Sequence, residues 1–530
     1  MEERYNRLRQ QAWDKLAQDW DVLIIGGGIT GAGIFQLSVQ LGYKTALFEA
    51  GDFASGSSSR SSKLVHGGLR YLKNAQIKVT LESVREREHL LRQGQGLINR
   101  LGFLYTCLEG DRMPGWVFRA GLVLYDLMAG QWSHQAYDVE EIRRLCPPIT
   151  TPRLLKGYRY FDAITDDARL VYRLMREAQD RGGLAINYAR VENLLRTQNG
   201  KVVGLIVQDL LDENIKAYEV KGRVVINASG AWVDEIRGWL GKTPRLRPLR
   251  GSHLVFPFAR LPITRAVSFL HPRDGRPVFA LPWEGAVLFG TTDVDHRAAI
   301  LTDPALDAAE VEYLLEGVTA IFPQQELTFN DVLSVYSGLR PVVNTGKVDP
   351  SKESREHVIW EEDGLITVSG GKLTTFRIMA RDALKKASQM LGYIPAKHPD
   401  FIFAPMNEED DRILEESGLT TPLRLRLLAR YGETFVKYYL DAEEWEKQFI
   451  PDTPYLWAEL GFAAQFEAIG HLDDLLLRRL RLGLLTPQGG RNWIPEIRKA
   501  VQTRLGWEDS RWDNEQQRYF RLIERAYTIR

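Results

Sequence analysis

Apolar positions along this chain change their period twice, and those changes divide it. From Asp21 the run Val22-Leu23-Ile24-Ile25 is apolar without interruption, as expected for a strand covered on both faces of a parallel sheet. Gly26-Gly27-Gly28-Ile29-Thr30-Gly31 follows directly, then a helical pattern to about Leu41, with Gly42 placed to close it. Lys44 to Phe48 reads as a second strand and ends at Glu49. Val202 to Asp209, Arg223 to Ala228 with Ser229-Gly230 after it, and Leu365 to Ser369 running into Gly370-Gly371 have the same grammar. Each is expected to return the chain to the cofactor. Pro277 to Leu281 and Ala286 to Gly290 flank Pro282-Trp283-Glu284-Gly285, the pattern of an antiparallel hairpin. After about Pro395 strand signals fade, and helical periodicity continues to Arg530. At the other end Tyr5, Leu8, Ala12 and Leu16, with Trp13 and Trp20 beside them, predict a short amphipathic helix over 1–20. It suits packing on the domain surface more than contact with a membrane.

Composition narrows the class. With 530 residues, 44% hydrophobic and 26% charged, the chain has material for two or three domains with sizeable cores. Its 69 Lys+Arg balance 69 Asp+Glu, so no global basic field exists to draw nucleic acid. Two cysteines, Cys107 and Cys146, supply neither a disulfide framework nor a thiolate metal site. Residues 1–20 carry four basic and four acidic side chains and no uninterrupted apolar stretch, unlike a secretory signal. No apolar run is long enough to cross a bilayer; the nearest, Trp116 to Trp132, is broken by Arg119 and Asp126.

The order strand, glycine turn, helix, strand, acid has a specific chemistry. Gly26, Gly28 and Gly31 allow a tight turn and close backbone approach, and the helix opening at Ile29 and Thr30 points free N–H groups at a pyrophosphate. Glu49, beside Ala50, stands where a carboxylate accepts from ribose hydroxyls. A dinucleotide is implied; this unit alone fits FAD and NAD equally.

A longer signature separates them. Ser57-Ser58-Ser59-Arg60-Ser61-Ser62-Lys63-Leu64-Val65-His66-Gly67-Gly68-Leu69-Arg70-Tyr71-Leu72 resembles the signature of the FAD-dependent glycerol-3-phosphate dehydrogenases. Asp166-Asp167-Ala168-Arg169-Leu170, Asn227 to Trp232, Arg250-Gly251-Ser252-His253, Gly290-Thr291-Thr292-Asp293, Tyr336 to Pro341 and Gly370 to Thr375 follow in that family's order. The resemblance runs from about Asp21 to beyond Arg381 and more loosely to the end. It implies an α/β fold: a Rossmann-like, glutathione-reductase-like FAD domain, an interleaved antiparallel-sheet substrate domain like that of D-amino-acid oxidase, and an α-helical C-terminal domain. The expected boundaries are 21–394 for the oxidoreductase region and 395–530 for the helical domain. Within the first, FAD segments are expected at about 21–90, 150–250 and 335–394, and the substrate domain at about 91–149 and 251–334.

The resemblance also implies roles. Oxidising the C2 hydroxyl of sn-glycerol 3-phosphate needs a phosphate anchor, a proton acceptor and a flavin to take the hydride. Guanidinium groups suit the anchor, so Arg340, Arg355 and Arg70 are expected there, with Tyr71 beside them. His253 is the preferred base and His66 the competitor, the other being expected against flavin or substrate. Lys372 is expected to answer negative charge on the reduced flavin. Expected FAD contacts, besides those of the first turn, are Ser57, Ser58, Ser62, Lys63, Leu64, His66, Gly68, Val191, Ser229, Gly230, Trp232, Gly371, Lys372, Leu373, Thr374 and Thr375. Asp293 orients a catalytic group or caps a turn, and stays outside the catalytic set; the bland role of any one of these arginines or histidines is a surface ion pair or a structural ring.

Electrons on the flavin must leave, and the family's usual acceptor is membrane quinone. That implies a cytoplasmic protein peripherally bound to a membrane. Trp116 to Trp132, and Arg478 to Arg530 with 12 Lys+Arg against 6 Asp+Glu, are the candidate surfaces, although each also reads as ordinary core. Three alternatives stand: an oxidase passing electrons to oxygen, an amine or amino-acid oxidase on the same fold, and a flavin-binding interaction protein. Oligomeric state, a homodimer included, stays open.

Overall fold

The computed structural model describes residues 9–69, 76–111, 115–212, 216–347, 353, 356–393 and 401–529. Its first sheet is built on Trp20–Ile25, whose Val22, Leu23 and Ile24 are wholly buried. This strand pairs in parallel with Thr45–Phe48 on one side and Ala217–Asn227 on the other; Leu184–Ile186 and Leu365–Gly370 extend the parallel set outward. His357–Glu362 closes one edge antiparallel. The helix Ile29–Gln40 starts straight from the glycine turn and packs against Asp167–Gln179 and Phe376–Leu391, through a cluster with Ile34, Phe35, Val171 and Phe376. The strand Val202–Asp209 departs from the sequence expectation. It runs antiparallel to Ala217–Asn227 in a meander with Ala189–Arg196, so only the Ala217–Asn227 and Leu365–Gly370 returns reach the cofactor turn. Alternating exposure along Val202–Asp209 is the pattern of such a half-covered strand.

The second sheet is mainly antiparallel and contains the expected hairpin, Pro277–Trp283 with Ala286–Gly290, turning at Glu284 and Gly285, both left-handed. Several of its strands come from segments expected in the FAD domain, among them Leu64–Val65, which pairs with Leu154–Thr165. Leu154–Thr165 pairs with Ile98–Leu108, and Ser334–Val343 pairs with Leu246–Pro257 along ten residues. Long-range strand pairing decides this, and an apolar run carries no label for the sheet that will accept it.

The helical region from Glu408 to Ala526 shares one core with the second sheet: Tyr105, Trp283, Leu288 and Tyr336 pack in the same cluster as Leu475, Leu476, Trp512 and Tyr519. Near the start, residues 9–14 are helical and Lys15–Ala17 form a 3₁₀ turn. Trp13, Leu16 and Trp20 are buried there, and Trp13 stacks on Tyr218 at 4.6 Å between centroids, so the described part of this segment packs on the first domain. Cys107 and Cys146 are both buried, and burial pushes their thiols up to about 11 and about 12 respectively; they act as small apolar side chains.

Candidate active site

The glycine turn is held by contacts that leave no space for side chains. A Cβ on Gly31 would lie 1.9 Å from the Gly26 carbonyl oxygen, and one on Gly26, at φ +107°, would lie 2.6 Å from that of Ala228. The helix can therefore begin directly over the strand ends. Glu49, at the end of the neighbouring strand, accepts from the Gly27 amide (2.6 Å) and the Gly51 amide (2.8 Å), while burial raises its pKa. Ser58 Oγ accepts from the Ile29 amide at 2.9 Å, which puts the serine-rich stretch across the helix start.

These elements line one side of a cavity of about 1430 Å³ between the two sheets, larger than the roughly 300–1,000 Å³ of a drug-sized site. Most expected cofactor positions meet there: Gly26, Gly28, Ile29, Thr30, Glu49, Ala50, Ser57, Ser58, Ser62, Leu64, His66 and Gly68 from the first third of the chain. Val191, Ser229, Gly230 and Trp232 join from the middle, and Gly371, Lys372, Leu373 and Thr374 from the last parallel strand. Thr374 Oγ1 accepts from the His66 amide (3.0 Å) and donates to the His66 carbonyl (3.2 Å), tying the two loops. Lys372 Nζ donates to Ser83 Oγ at 3.0 Å across the cavity edge.

Three expected contacts are placed elsewhere. Gly31 lies behind the turn as a packing glycine, and Thr375 hands the chain to the helix Phe376–Leu391. Lys63 is fully buried, its Nζ donating to Asp167 at 2.8 and 3.0 Å and to the Ser59 carbonyl at 2.5 Å. Burial outweighs the pull of Asp167 and holds this ammonium down to about 8. Its charge is committed to an internal pair and does not face the cavity. Arg70, Tyr71 and Arg355 fall outside the described residues.

The opposite wall carries Arg340, with His253 behind it. Arg340 lines the cavity, and its Nη1 donates to Asp293 Oδ1 (2.8 Å) and the Thr292 carbonyl (3.1 Å), its Nη2 to Thr291 Oγ1 (2.9 Å). Asp293 thus fixes the position of the Arg340 guanidinium. His253, one strand over, is buried and stacks on Tyr336 with centroids 4.8 Å apart. Its Nε2 is 2.8 Å from Ser62 Oγ, which lines the cavity, so His253 stands one hydrogen bond behind the wall. Burial, with the charges of Arg340 and Lys63 added, holds the imidazole well below its usual value and keeps it neutral.

Sequence reasoning quoted Asp167 in a motif but gave it no role. Its carboxylate accepts from the Ser61 amide (3.0 Å) and hydroxyl (2.7 Å), from Lys63, and from Arg481 (2.6 Å). The Asp166-Asp167 pair was the available signal, since adjacent buried acids require cations from elsewhere in the chain.

The glycine cradle, the acid at the second strand end and a cavity stretching from Glu49 and Val191 to Lys372 and Arg340 fit a dinucleotide as long as FAD. A parallel cofactor sheet facing an antiparallel substrate sheet across such a cavity defines a two-domain flavin-dependent oxidoreductase. Residues 21–382 match the family described as FAD dependent oxidoreductase, and residues 400–512 match the C-terminal domain of alpha-glycerophosphate oxidase. Glycerol-3-phosphate dehydrogenase 2 of Mycobacterium tuberculosis is 35% identical over 540 residues, covering 97% of this chain and 90% of that one. Aerobic glycerol-3-phosphate dehydrogenase of Bacillus subtilis is 32% identical over 547 residues, covering 94% and 93%. The glycerol-3-phosphate dehydrogenase from Bacillus halodurans complexed with FAD superposes with a TM-score of 0.79 at 27% identity, covering 98% and 97%. The chain belongs to the FAD-dependent glycerol-3-phosphate dehydrogenase family, and FAD is its cofactor.

Proposed function

We propose that the chain oxidises sn-glycerol 3-phosphate at C2 to dihydroxyacetone phosphate and passes the electrons to a membrane quinone. Bound FAD supplies the two-electron acceptor that takes the hydride from C2. Arg340, held by Asp293 and Thr291, grips the phosphate through its planar donor fork. His253, neutral in its buried seat, accepts the hydroxyl proton, with Ser62 as its contact at the cavity wall. His66 then serves as a cofactor contact, its backbone locked to Thr374. Lys372 provides a fixed cation against the negative charge that reduction builds up. The family resemblance adds Arg70, Tyr71 and Arg355, outside the described residues, as further candidates for binding the phosphate. The observation that carries this reading is a clamped guanidinium on the cavity wall that faces the glycine turn, with a neutral histidine one hydrogen bond behind that wall through Ser62.

Bleaching of the flavin bands by sn-glycerol 3-phosphate without oxygen tests it. A flavin inert to that substrate and bleached by glycine or sarcosine would move the assignment to amine oxidation. Stoichiometric peroxide without added acceptor would replace quinone by oxygen.

The helix Gly115–Ala129 supports the membrane part. Trp116 is 71% exposed, Leu127 66% and the following Trp132 69%, while Val117, Phe118, Gly121 and Leu124 of the same helix line the cavity. A lipid-soluble acceptor entering along this helix would pass from bilayer to cofactor without crossing water, and Trp side chains suit the interface. In the other candidate surface Arg478, Arg479 and Arg481 are buried in ion pairs and are withdrawn from any contact with a bilayer. Among the described residues no helix is long and apolar enough to cross a membrane. Replacing Trp116, Leu127 and Trp132 together by Ser is expected to abolish flotation with anionic liposomes and leave dye-linked turnover within about twofold. Unchanged flotation would remove this surface from the scheme.

A further inference from the structure

The serine-rich stretch 55–62 forms much of the cavity wall, and it is fastened on three sides. On the first, Tyr336 Oη donates to the Ser61 carbonyl (2.9 Å) and Ser57 Oγ to the Leu339 carbonyl, which fixes it to the strand carrying Arg340. On the second, Asp167 holds Ser61 and Lys63.

The third fastening is Arg60, whose role neither the cofactor turn nor the substrate wall explains. Its side chain is buried, and Nη1 donates to the Gly56 carbonyl (2.9 Å) and to that of Ser55, gathering the loop into a closed turn. Nη2 donates to Tyr527 Oη (2.9 Å) and pairs with Asp303, and Tyr527 Oη donates to Asp303 Oδ1 (2.7 Å). Three distant parts of the chain thus meet at one triangle. Asp303 directly follows Ile300, Leu301 and Thr302, which line the cavity. Tyr527 lies just past the last helix, Asp509–Ala526, and its carbonyl accepts from the Val335 amide at 3.0 Å, on the strand that carries Arg340.

We propose that Arg60, Asp303 and Tyr527 form a latch that retains FAD, with Asp303 and Tyr527 as positioning residues acting through Arg60. The latch joins the 300–302 wall segment directly to the serine loop, both of which line the cavity, and anchors both to the end of the helical region. Without it each wall keeps its own internal contacts but loses the tie to the other, so the cofactor can leave between them. Removing Asp303 also strands a buried guanidinium without its carboxylate, a larger loss than removing one hydroxyl. The latch concerns FAD retention, which family membership supports, and does not depend on the substrate assigned above.

The test is the FAD dissociation constant, from the fluorescence of released flavin on dilution of the holoenzyme, with melting temperature measured in parallel. Tyr527→Phe keeps the ring and is expected to raise the constant about fivefold, and Asp303→Asn about tenfold or more. The double variant is expected to resemble Asp303→Asn alone, because both changes open one device. Arg424→Gln breaks the pairs with Asp411 and Glu415 within the helical region, away from the loop, and sets the reference: lower melting temperature, unchanged FAD affinity. Constants within twofold of the parent for both latch variants, with melting temperatures lowered as in Arg424→Gln, would overturn the proposal and leave an ordinary structural contact. Full additivity in the double variant would equally overturn a single latch. If Asp303→Asn does not fold, Tyr527→Phe decides by itself.

Discussion

Gly251 is the most economical place to test whether Arg340 holds the substrate phosphate. The Arg340 guanidinium lies flat against the Gly251 backbone: a Cβ built there would sit 2.2, 2.4 and 2.6 Å from Nη2, Cζ and Nη1. Gly251→Ala must therefore push the group back by about 1 Å to reach ordinary van der Waals separation. Such a retreat breaks the geometry with Thr291 and Asp293, which hold Arg340 at 2.9 and 2.8 Å. The side chain is 30% exposed, so its tip can move toward solvent, and the strand backbone at Gly251 is compatible with alanine. Stability is then expected to stay within about 1 kcal/mol of the parent. Losing a charge-assisted contact of about 1.5–3 kcal/mol should raise the half-saturation concentration for sn-glycerol 3-phosphate about 10- to 150-fold. The assay is stopped-flow bleaching of the FAD-loaded enzyme without oxygen, across substrate concentrations, with thermal melts alongside. Glycerol, which lacks the phosphate, supplies the internal control: its slow bleaching should be the same in variant and parent. A half-saturation value within twofold of the parent, at unchanged melting temperature, would refute Arg340 as the anchor.

Other consequences of the same geometry can be measured on the same protein. His253→Asn is expected to lower the bleaching rate about 10²- to 10⁴-fold with little change in half-saturation, and an equal loss in both would point to binding instead of proton transfer. Because folding depresses the His253 pKa, the neutral base persists as pH falls through 6.5, and the acid limb of the bleaching rate should lie below that value. The same depression has a stability sign. Above 6.5 both states are neutral at this site; below it the unfolded chain binds a proton that the folded one refuses, so stability should fall with pH and fall less in His253→Asn. Asp167→Asn leaves Lys63 and Arg481 with one fewer counter-charge in a buried site and should cost about 3–5 kcal/mol, read as a lowered denaturation midpoint; a midpoint equal to the parent's would count against that network.

What the sequence made legible is what lies close together along the chain. The turn at Gly26 to Gly31, the acid at Glu49, the loop at Gly370 to Thr374 and the hairpin at Glu284-Gly285 are all set by local backbone requirements, and the structure realises each. Lys63 shows the limit. Its place inside the serine signature suggested a cofactor contact, but that signature also has to be tied to the fold beneath it, and Lys63 faces inward to Asp167. Asp293 and Arg340 are 47 residues apart, Asp167 and Arg481 314 apart, and Arg60 and Tyr527 467 apart. An ion pair imposes no period on either partner, so nothing in a window of residues announces it.

The arginines at 478, 479 and 481 make the same point about charge. Counted in sequence they belong to a basic excess suited to an anionic surface. The chain at Leu475–Arg479 widens into a π-helical turn, and neighbouring side chains that a regular helix would spread around its axis all reach inward. Arg478 pairs with Asp52, Asp473 and Asp474; Arg479 pairs with Asp52; Arg481 reaches Asp166 and Asp167. Asp52 follows Glu49, the acid that accepts from the glycine turn, by three residues, and Asp167 fastens the serine loop. The helical region thus supplies the cations that the cofactor domain's buried acids require, and neither could bury its half alone without paying for unpaired charge. The two regions are therefore expected to unfold as one cooperative unit, and a single calorimetric transition, shifted upward as a whole by FAD, is the form this coupling should take.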